Sequence, residues 1–489
     1  MAQVSDVTES RKGNRHGSDY ITSHMPAHAP ATRALDPGRL IDEGTWSTYQ
    51  KLLILGTAMT IIVDGLDNQL LPNAVPALIR EWGVPRGAFT TALAIGPFGM
   101  MIGGLLGGLA GDRFGRRPTL IGCVALFGAL TCLMALINSV AMLSTLRLLA
   151  GIGLGGAMPN AATLASEYVP TRRRPFAVTA TIVCIPLGGA LAGELAAFVI
   201  PRNGWRALFL VGGALALVIS AALWQVIPES PKFLARHRER WSELIRLLRR
   251  SGHDVAPDAT FSTPSEMVVA PVSSERIASL FRGGYARDTI ALSAAFFFGL
   301  MVNYVVILLL PALLTSASIG FSQPAASRAL AMSNYGGIAG ALLGAVVLQR
   351  LGSRLTMLTM SVCAVVCGAI LAGWPLDPAN TAGLMAMLLV TGGLLNGVQT
   401  TMYALAAHVY PTPIRSTGVG LAVAVGRIGN VVAAYAASAA IDRGGPPAYF
   451  GLWSVLMLFV IVALAGVRRH VPSAGKSHIP SPKPQTPRM

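Results

Sequence analysis

Charge is what this sequence has least of. Only 12% of its 489 residues are Asp, Glu, Lys or Arg, about half the share a soluble domain carries. That deficit excludes an ordinary soluble fold, which needs a charged surface. Cysteine is scarce as well. Cys123, Cys132, Cys184, Cys363 and Cys367 all lie in apolar stretches without metal-ligand spacing, so they read as small packing residues rather than redox or metal groups. No metal-spaced cluster of His, Cys, Asp and Glu occurs, and no nucleophile constellation, so no metal, cofactor or enzymatic chemistry is expected. The first 45 residues are polar and rich in Ser, His and Pro, without the apolar core of a cleavable signal.

Apolar residues are abundant. They make up 53% of the chain, and the mean hydropathy is +0.57. They come in long runs, such as 119–137, 207–227 and 448–467, each near the ~20 residues that cross a bilayer as a helix. Twelve such spans are predicted. Six lie at 52–79, 88–111, 119–137, 141–168, 176–200 and 207–227. Six more lie at 288–316, 325–348, 355–374, 383–409, 417–440 and 448–467. The expected class is an all-α integral membrane protein with twelve transmembrane helices. Residues 46–227 and 288–467 would form the bundles, 228–287 a central loop, and 1–45 and 468–489 disordered tails.

The net charge of +16 would fit nucleic acid if it formed one patch, but it does not. Most Lys and Arg fall in the tails, the central loop and alternate short loops, which is the positive-inside pattern. Both termini and the central loop are therefore expected in the cytoplasm, in contact with the lipid bilayer, and no nucleic acid partner is expected. The central loop opens with "PESPKFLARHRERWSELIRLLRR". Phe233, Leu234, Trp241, Leu244, Ile245 and Leu248 share a helix face there, so this stretch is either a helix lying on the membrane surface or a solvated linker helix.

The two sets of six spans echo each other. "GDRFGRRPTL" (111–120) follows the second span and "LQRLGSRLTM" (348–357) the eighth; "EYVPTRRR" (167–174) ends the fourth and "HVYPTPIR" (408–415) the tenth. Two repeated six-helix units are the pattern of transporters that rock two bundles about a midplane site. "GDRFGRRP" resembles the loop signature of the major facilitator superfamily. "DGLDNQ", "RLLAGIGLGGAMPNAATLASEY", "PESPKFL", "NGVQTTMYALAAHVYPTPIRSTGVG" and "GRIGN" are similar to its aromatic acid:proton symporter family, over roughly residues 50–467. That resemblance implies two six-helix bundles, a small aromatic acid and protons as cargo, and one chain as the functional unit.

Candidate functional residues are the charges that break the apolar runs. Asp64 lies about 18 Å into the first span, where a charge costs roughly 2.5–3.5 kcal/mol. Asp67 follows at i+3, on the same face. Two close, buried carboxylates resist joint ionisation, which suits a pair that loads and unloads a proton; of the two, Asp67 is favoured as the titrating one. The resemblance adds Asn68, within "DGLDNQ", as a substrate contact. Arg147 on span four either pairs with a span-one carboxylate or binds a substrate anion. Glu194 on span five is either a second titrating group or the partner of Arg147, the pair being preferred. It stands where the superfamily's antiporters carry Gly-Pro, which argues against drug efflux.

Asn396, Gln399 and Tyr403 on span ten step by three and four. They form either a stripe that binds a ring hydroxyl or carboxylate, or a helix-packing stripe. Arg427, a cation within the eleventh span, offers a bidentate fork to a carboxylate, or pairs internally with a gate carboxylate such as Asp112. Asp112, Arg113, Gly115 and Arg116 of the loop motif are gate candidates, with Glu167 and, at the matching place in the second half, His408. Asp112 sits at the negative end of a helix and should seek Arg113, Arg116, Arg117 or another helix's N-terminus. Together with the resemblance, which implies the aromatic cargo, these residues lead to the expectation of proton-coupled import of a small aromatic carboxylate at the cell (inner) membrane. A carrier of another metabolite, such as a sugar or drug, is the alternative, and a membrane sensor of aromatics that moves nothing is a third.

Overall fold

The computed structural model describes residues 34–44, 46–262, 278–282 and 284–473, without the side chains of 174–182 and 412–413. The expected tails fall largely outside the described residues. Helix α1 is Pro37–Glu43, followed by α2 (Thr48–Trp82), α3 (Thr90–Phe114), α4 (Arg116–Met134), α5 (Val140–Tyr168) and α6 (Arg174–Val226). Helices α7 (Pro231–Arg236) and α8 (Trp241–Arg250) occupy the central loop. Then come α9 (Ala286–Leu314), α10 (Gln323–Leu351), α11 (Ser353–Ala372), α12 (Thr381–Val409) and α13 (Thr412–Gly466).

Ten of the described helices are long and apolar enough to cross a membrane. The sequence predicts twelve spans, and the difference lies in α6 and α13. At 53 and 55 residues each runs on through a connection the hydropathy pattern marks as a loop. Neither is straight: Gly204 in α6 has a φ of 77°, and Gly444 and Gly445 in α13 leave helical geometry. Gly204 adopts a left-handed conformation that only glycine takes at little cost.

Packing follows the small residues. Lipid is as apolar as leucine, so helices associate by close backbone approach. Helices α3 and α5 meet along Gly99, Gly103, Gly107, Gly151 and Gly155; a Cβ on Gly103 would lie 2.0 Å from the Ile152 carbonyl oxygen. The second half repeats this with α10 against α12, where a Cβ on Gly340 would lie 1.8 Å from the Gly393 carbonyl oxygen. The outer faces carry exposed Leu, Val and Phe, for example Leu105, Leu343 and Phe459, as a lipid-facing surface requires. The two halves meet through α6 on α10, α3 on α13 and α2 on α9.

The amphipathic helix α8 does not present its apolar face to lipid. Leu244, Ile245, Leu247 and Leu248 are buried within the chain, as are Phe261 and Ile41 of α1. Trp241 packs edge-on against Phe261 and donates from Nε1 to the Ala235 carbonyl. With α1, which reaches this region through the bridge of Leu35 to Phe261, α7 and α8 form a small cap at the end of the first bundle.

The packing carries a direct expectation. Gly340→Leu should lower the thermal midpoint of the detergent-solubilised protein, at a cost of roughly 1–3 kcal/mol from overpacking. Gly122→Leu, at a position with open space around it, should leave the midpoint where it is.

Candidate functional site

Helix α2 is apolar for most of its length, with Asp64 and Asp67 both buried at its middle. The two acids have opposite surroundings. Asp67 is fully partnered: Arg147 Nη1 of α5 donates to its Oδ2 at 2.9 Å, and Thr131 of α4 donates to its Oδ1. Arg147 Nη2 also donates to the carbonyls of Asp67 and Asn68, at 3.3 and 3.2 Å. One guanidinium thus neutralises a carboxylate and fixes the local backbone. Gly96, against which the Arg147 side chain lies, gives it room.

Asp64 is the contrasting case. Its Oδ1 is buried and has no hydrogen-bond partner among the described residues. The strongest opposite charge acting on it is Arg427 of α13, ahead of Arg147. Arg427 itself has no carboxylate within ion-pair reach among the described residues; its Nη2 lies 4.0 Å from Met158 Sδ. The sequence reading favoured Asp67 as the titrating acid. The structure gives Asp67 a permanent counter-charge and leaves Asp64 without one.

The remaining substrate candidates divide. Asn68 donates to the Tyr304 hydroxyl of α9 at 3.0 Å, linking the two bundles beside Asp64. Tyr403 meets Phe296 edge-on, with centroids 5.1 Å apart. Gln399, one turn earlier, is buried, with neither Nε2 nor Oε1 partnered among the described residues. Asn396 leaves this group: it donates to the Gly392 carbonyl and its amide lies over Gly337 of α10. The span-ten stripe is therefore split, its first member packing against α10 and its other two facing α9, Gln399 at Gly299 and Tyr403 at Phe296. Tyr304 and Asn430, whose Oδ1 is also buried without a partner among the described residues, belong to the same region. Neither stands out in the sequence, since tyrosine and asparagine in apolar runs carry no charge signal.

Glu194 does not pair with Arg147, the pairing the sequence reading preferred. It faces Arg328 of α10 across the seam, with Arg328 Nε 3.6 Å from its Oε2. Asp67 lies closer in the fold to Arg147, and α6 turns Glu194 toward α10 instead. That contact belongs to a series. Gln69 and Asn334 exchange amide hydrogen bonds of 3.0 and 2.9 Å, Gln323 donates to the Asn73 carbonyl at 2.7 Å, and Arg86 pairs with Asp442. Apart from the contacts of Arg427 with Met158 and of Glu194 with Arg328, the polar links between halves among the described residues all involve α2 from Asn68 onward or the segment just after it.

The gate candidates lie at the other end and stay within the first half. Asp112 pairs with Arg116, while the Arg113 guanidinium lies over the Phe114 ring. Glu229, not singled out in the sequence, is the centre of this network. Its Oε1 accepts from the backbone N–H groups of Arg116 and Arg117 at 2.8 and 3.2 Å, an anion at a helix N-terminus. Gly115 has a φ of 108° and admits the carboxylate: a Cβ there would lie 2.3 Å from Glu229 Oε2. Tyr168 donates to the Glu229 carbonyl, Ser230 to Glu167, and Asn160 accepts from Arg116 Nη1 at 3.4 Å. His408 is exposed at the end of α12 and is outside this network. The matching place in the second half is filled by the segment after α13: Ser353 and Val471 exchange bonds, and His470 Nδ1 lies 3.1 Å from Ser353 Oγ.

Comparisons with known proteins agree with this architecture. The sequence profile of the Major Facilitator Superfamily matches residues 57–390 and 292–488. The 4-hydroxybenzoate transporter PcaK of Pseudomonas putida is 32% identical over 84% of this chain and 91% of its own length. The gallate transporter of the same organism is 32% identical over 86% of this chain and 93% of its own. Among solved structures, the xylose transporter XylE of E. coli superposes with a TM-score of 0.67 at 16% identity, covering 87% of this chain and 99% of that one; this similarity speaks to the fold alone.

The Asp67 arrangement predicts coupled stabilities. Arg147→Gln leaves a buried carboxylate without its counter-charge and should cost about 3–5 kcal/mol. Adding Asp67→Asn removes that charge, so the double variant should recover most of the lost thermal midpoint of the purified protein.

Proposed function

The chain belongs to the major facilitator superfamily, and from that premise we propose that it imports a small aromatic carboxylate with protons by alternating access. The relatives that carry 4-hydroxybenzoate and gallate support the cargo class. Twelve membrane passes are part of the proposal. A straight 53-residue helix would be about 80 Å long, more than twice the ~30 Å hydrocarbon core, so α6 and α13 each cross twice, turning at Gly204 and at Gly444 and Gly445. The distribution of Lys and Arg supports cytoplasmic termini in a cell (inner) membrane. One chain holds both bundles and the seam between them, which supports a monomeric working unit.

The observation that carries the mechanism is the buried Oδ1 of Asp64 without a partner, together with an Arg427 that has no carboxylate within ion-pair reach, both among the described residues. A substrate carboxylate needs a cation in this low-dielectric site, and Arg427 is free of carboxylates among the described residues. Asp64 and the substrate then compete for one guanidinium. If the anion takes it, Asp64 is left as an uncompensated buried charge, a state that costs several kcal/mol; protonating Asp64 removes that cost. Binding of the anion and of the proton are therefore linked, and the pair crosses as a neutral unit. A lone anion would face ~2.3 kcal/mol per 100 mV of membrane potential. Asp67 and Arg147 serve as the fixed scaffold beside this pair, and Asn68, Tyr304, Gln399 and Tyr403 as substrate contacts.

Sidedness follows from the same topology. With α2 running outward from the cytoplasm, the inter-half links from Asn68 to Arg86, with Glu194 and Arg328, close the external side. The Asp112, Arg116, Glu167 and Glu229 network then belongs to the cytoplasmic gate, engaging the second half only when that side closes.

The test uses the purified protein in proteoliposomes and a panel of labelled aromatic acids. Asp64→Asn should lose accumulation driven by an inward proton gradient while still exchanging internal for external substrate, because the neutral amide mimics the protonated acid. Full gradient-driven accumulation by that variant would remove Asp64 from the coupling role.

A further inference from the structure

Gln399 is a polar side chain of the seam that is unmet at both of its polar atoms among the described residues. It lies on α12, buried, and among the described residues neither the Nε2 donor nor the Oε1 acceptor of its carboxamide has a hydrogen-bond partner. Buried polar groups are almost always satisfied, and each one left open destabilises the fold. Leucine would fill the position without that cost. Neighbouring polar residues on the same helix show the usual solution: Asn396 turns back to the Gly392 carbonyl, and Thr401 to the carbonyls of Gly397 and Val398. Gln399 is long enough to reach away from its own helix, and it does. Its Oε1 faces Gly299 of α9, where an added Cβ would lie 3.2 Å from it, closer than such contacts normally come, so the amide reaches this surface because the facing residue is glycine.

The surroundings are aromatic. Tyr403 is one turn along and Phe296 meets it edge-on. Arg427, Tyr304 and Gln399 itself are the neighbours that act on Tyr403. The carboxylate anchor and the amide thus both adjoin Tyr403, the first from α13 and the second from α12.

A carboxamide presents a donor and an acceptor side by side, so its complement is a group that both accepts and donates. A substrate carboxylate only accepts, and would meet Oε1 with like partial charge. A bare ring edge does neither. A phenolic hydroxyl does both: its oxygen accepts from Nε2 and its proton goes to Oε1. We propose that Gln399 is a specificity-determining residue that reads a ring hydroxyl of the substrate, so that the transporter selects hydroxylated over unsubstituted aromatic carboxylates. This rests on the aromatic-carboxylate reading above and narrows it. The selection is a property of the amide, separate from the charge pairing that Arg427 provides, because a site built to bond a hydroxyl penalises the analogue that lacks one.

The experiment measures KM for uptake of 4-hydroxybenzoate and of benzoate in proteoliposomes, for the wild-type protein and for Q399L, which keeps the volume and removes both polar atoms. The ratio of the hydroxybenzoate KM to the benzoate KM should rise roughly 10- to 100-fold in Q399L, the range of an unpaired buried hydrogen-bonding group. A ratio that stays at the wild-type value overturns the inference. If Q399L does not fold, the wild-type protein alone decides. Competition against labelled 4-hydroxybenzoate should then need at least about tenfold more of 4-methoxybenzoate, which accepts but cannot donate, and of benzoate, which does neither. Equal inhibition by all three overturns the role of Gln399. Absence of uptake of any aromatic acid by the wild-type protein would fall instead on the substrate class, not on the residue.

Discussion

The ion pair of Arg147 with Asp67 is the interaction on which the centre of this protein depends. A buried guanidinium and carboxylate contribute little net stability, since desolvation offsets their attraction, yet losing either one is expensive. What the pair contributes is arrangement. It ties α5 to α2, and with Thr131 it brings in α4. By satisfying Asp67, Arg147 also withdraws from Asp64, which lies a single turn away. Two acids at i and i+3 thereby have different surroundings: one is ion-paired, and the other has a buried oxygen without a partner among the described residues.

Around that centre the two halves use one packing rule and two kinds of contact between them. Glycine-lined approaches of α3 to α5 and of α10 to α12 make each bundle rigid. The seam, in contrast, is joined by amides and by exposed ion pairs, which are individually weak. The exposed pair of Glu194 with Arg328 can be exchanged for water at modest cost. Rigid bundles joined by replaceable contacts are what a rocking motion about a midplane site requires. The Glu229 network is built differently. A carboxylate caps the start of α4 from the segment after α6, which ties these elements together at the end of the first bundle.

Much of this was legible in the sequence, for identifiable reasons. Spans of about 20 apolar residues are set by bilayer thickness, and charges within them stand out because they are costly. Asp64, Asp67, Arg147 and Arg427 were therefore visible at once. Their partners were not. Helical periodicity gives the face a residue lies on but not which neighbouring helix that face meets, and so Glu194 was assigned to Arg147 instead of Arg328. The same limit hid the division of the span-ten stripe: Asn396 and Gln399 are three residues apart, yet one meets Gly337 and the other faces Gly299. Glu229 was hidden because its role depends on a positive φ at Gly115, more than a hundred positions earlier. The ten continuous helices differ from twelve hydropathy peaks because Gly204 and Gly445 bend the chain while helical hydrogen bonding resumes on either side.

The central claim is that an aromatic anion and a proton cross together because they share the field of Arg427. Proton movement reports this directly. Proteoliposomes carrying an internal pH dye would be exposed to 4-hydroxybenzoate, with protein-free liposomes correcting for passive entry of the protonated acid. The account predicts a protein-dependent acidification of the lumen that saturates with substrate and has the same KM as uptake. Protein-dependent uptake without any lumenal acidification would contradict it.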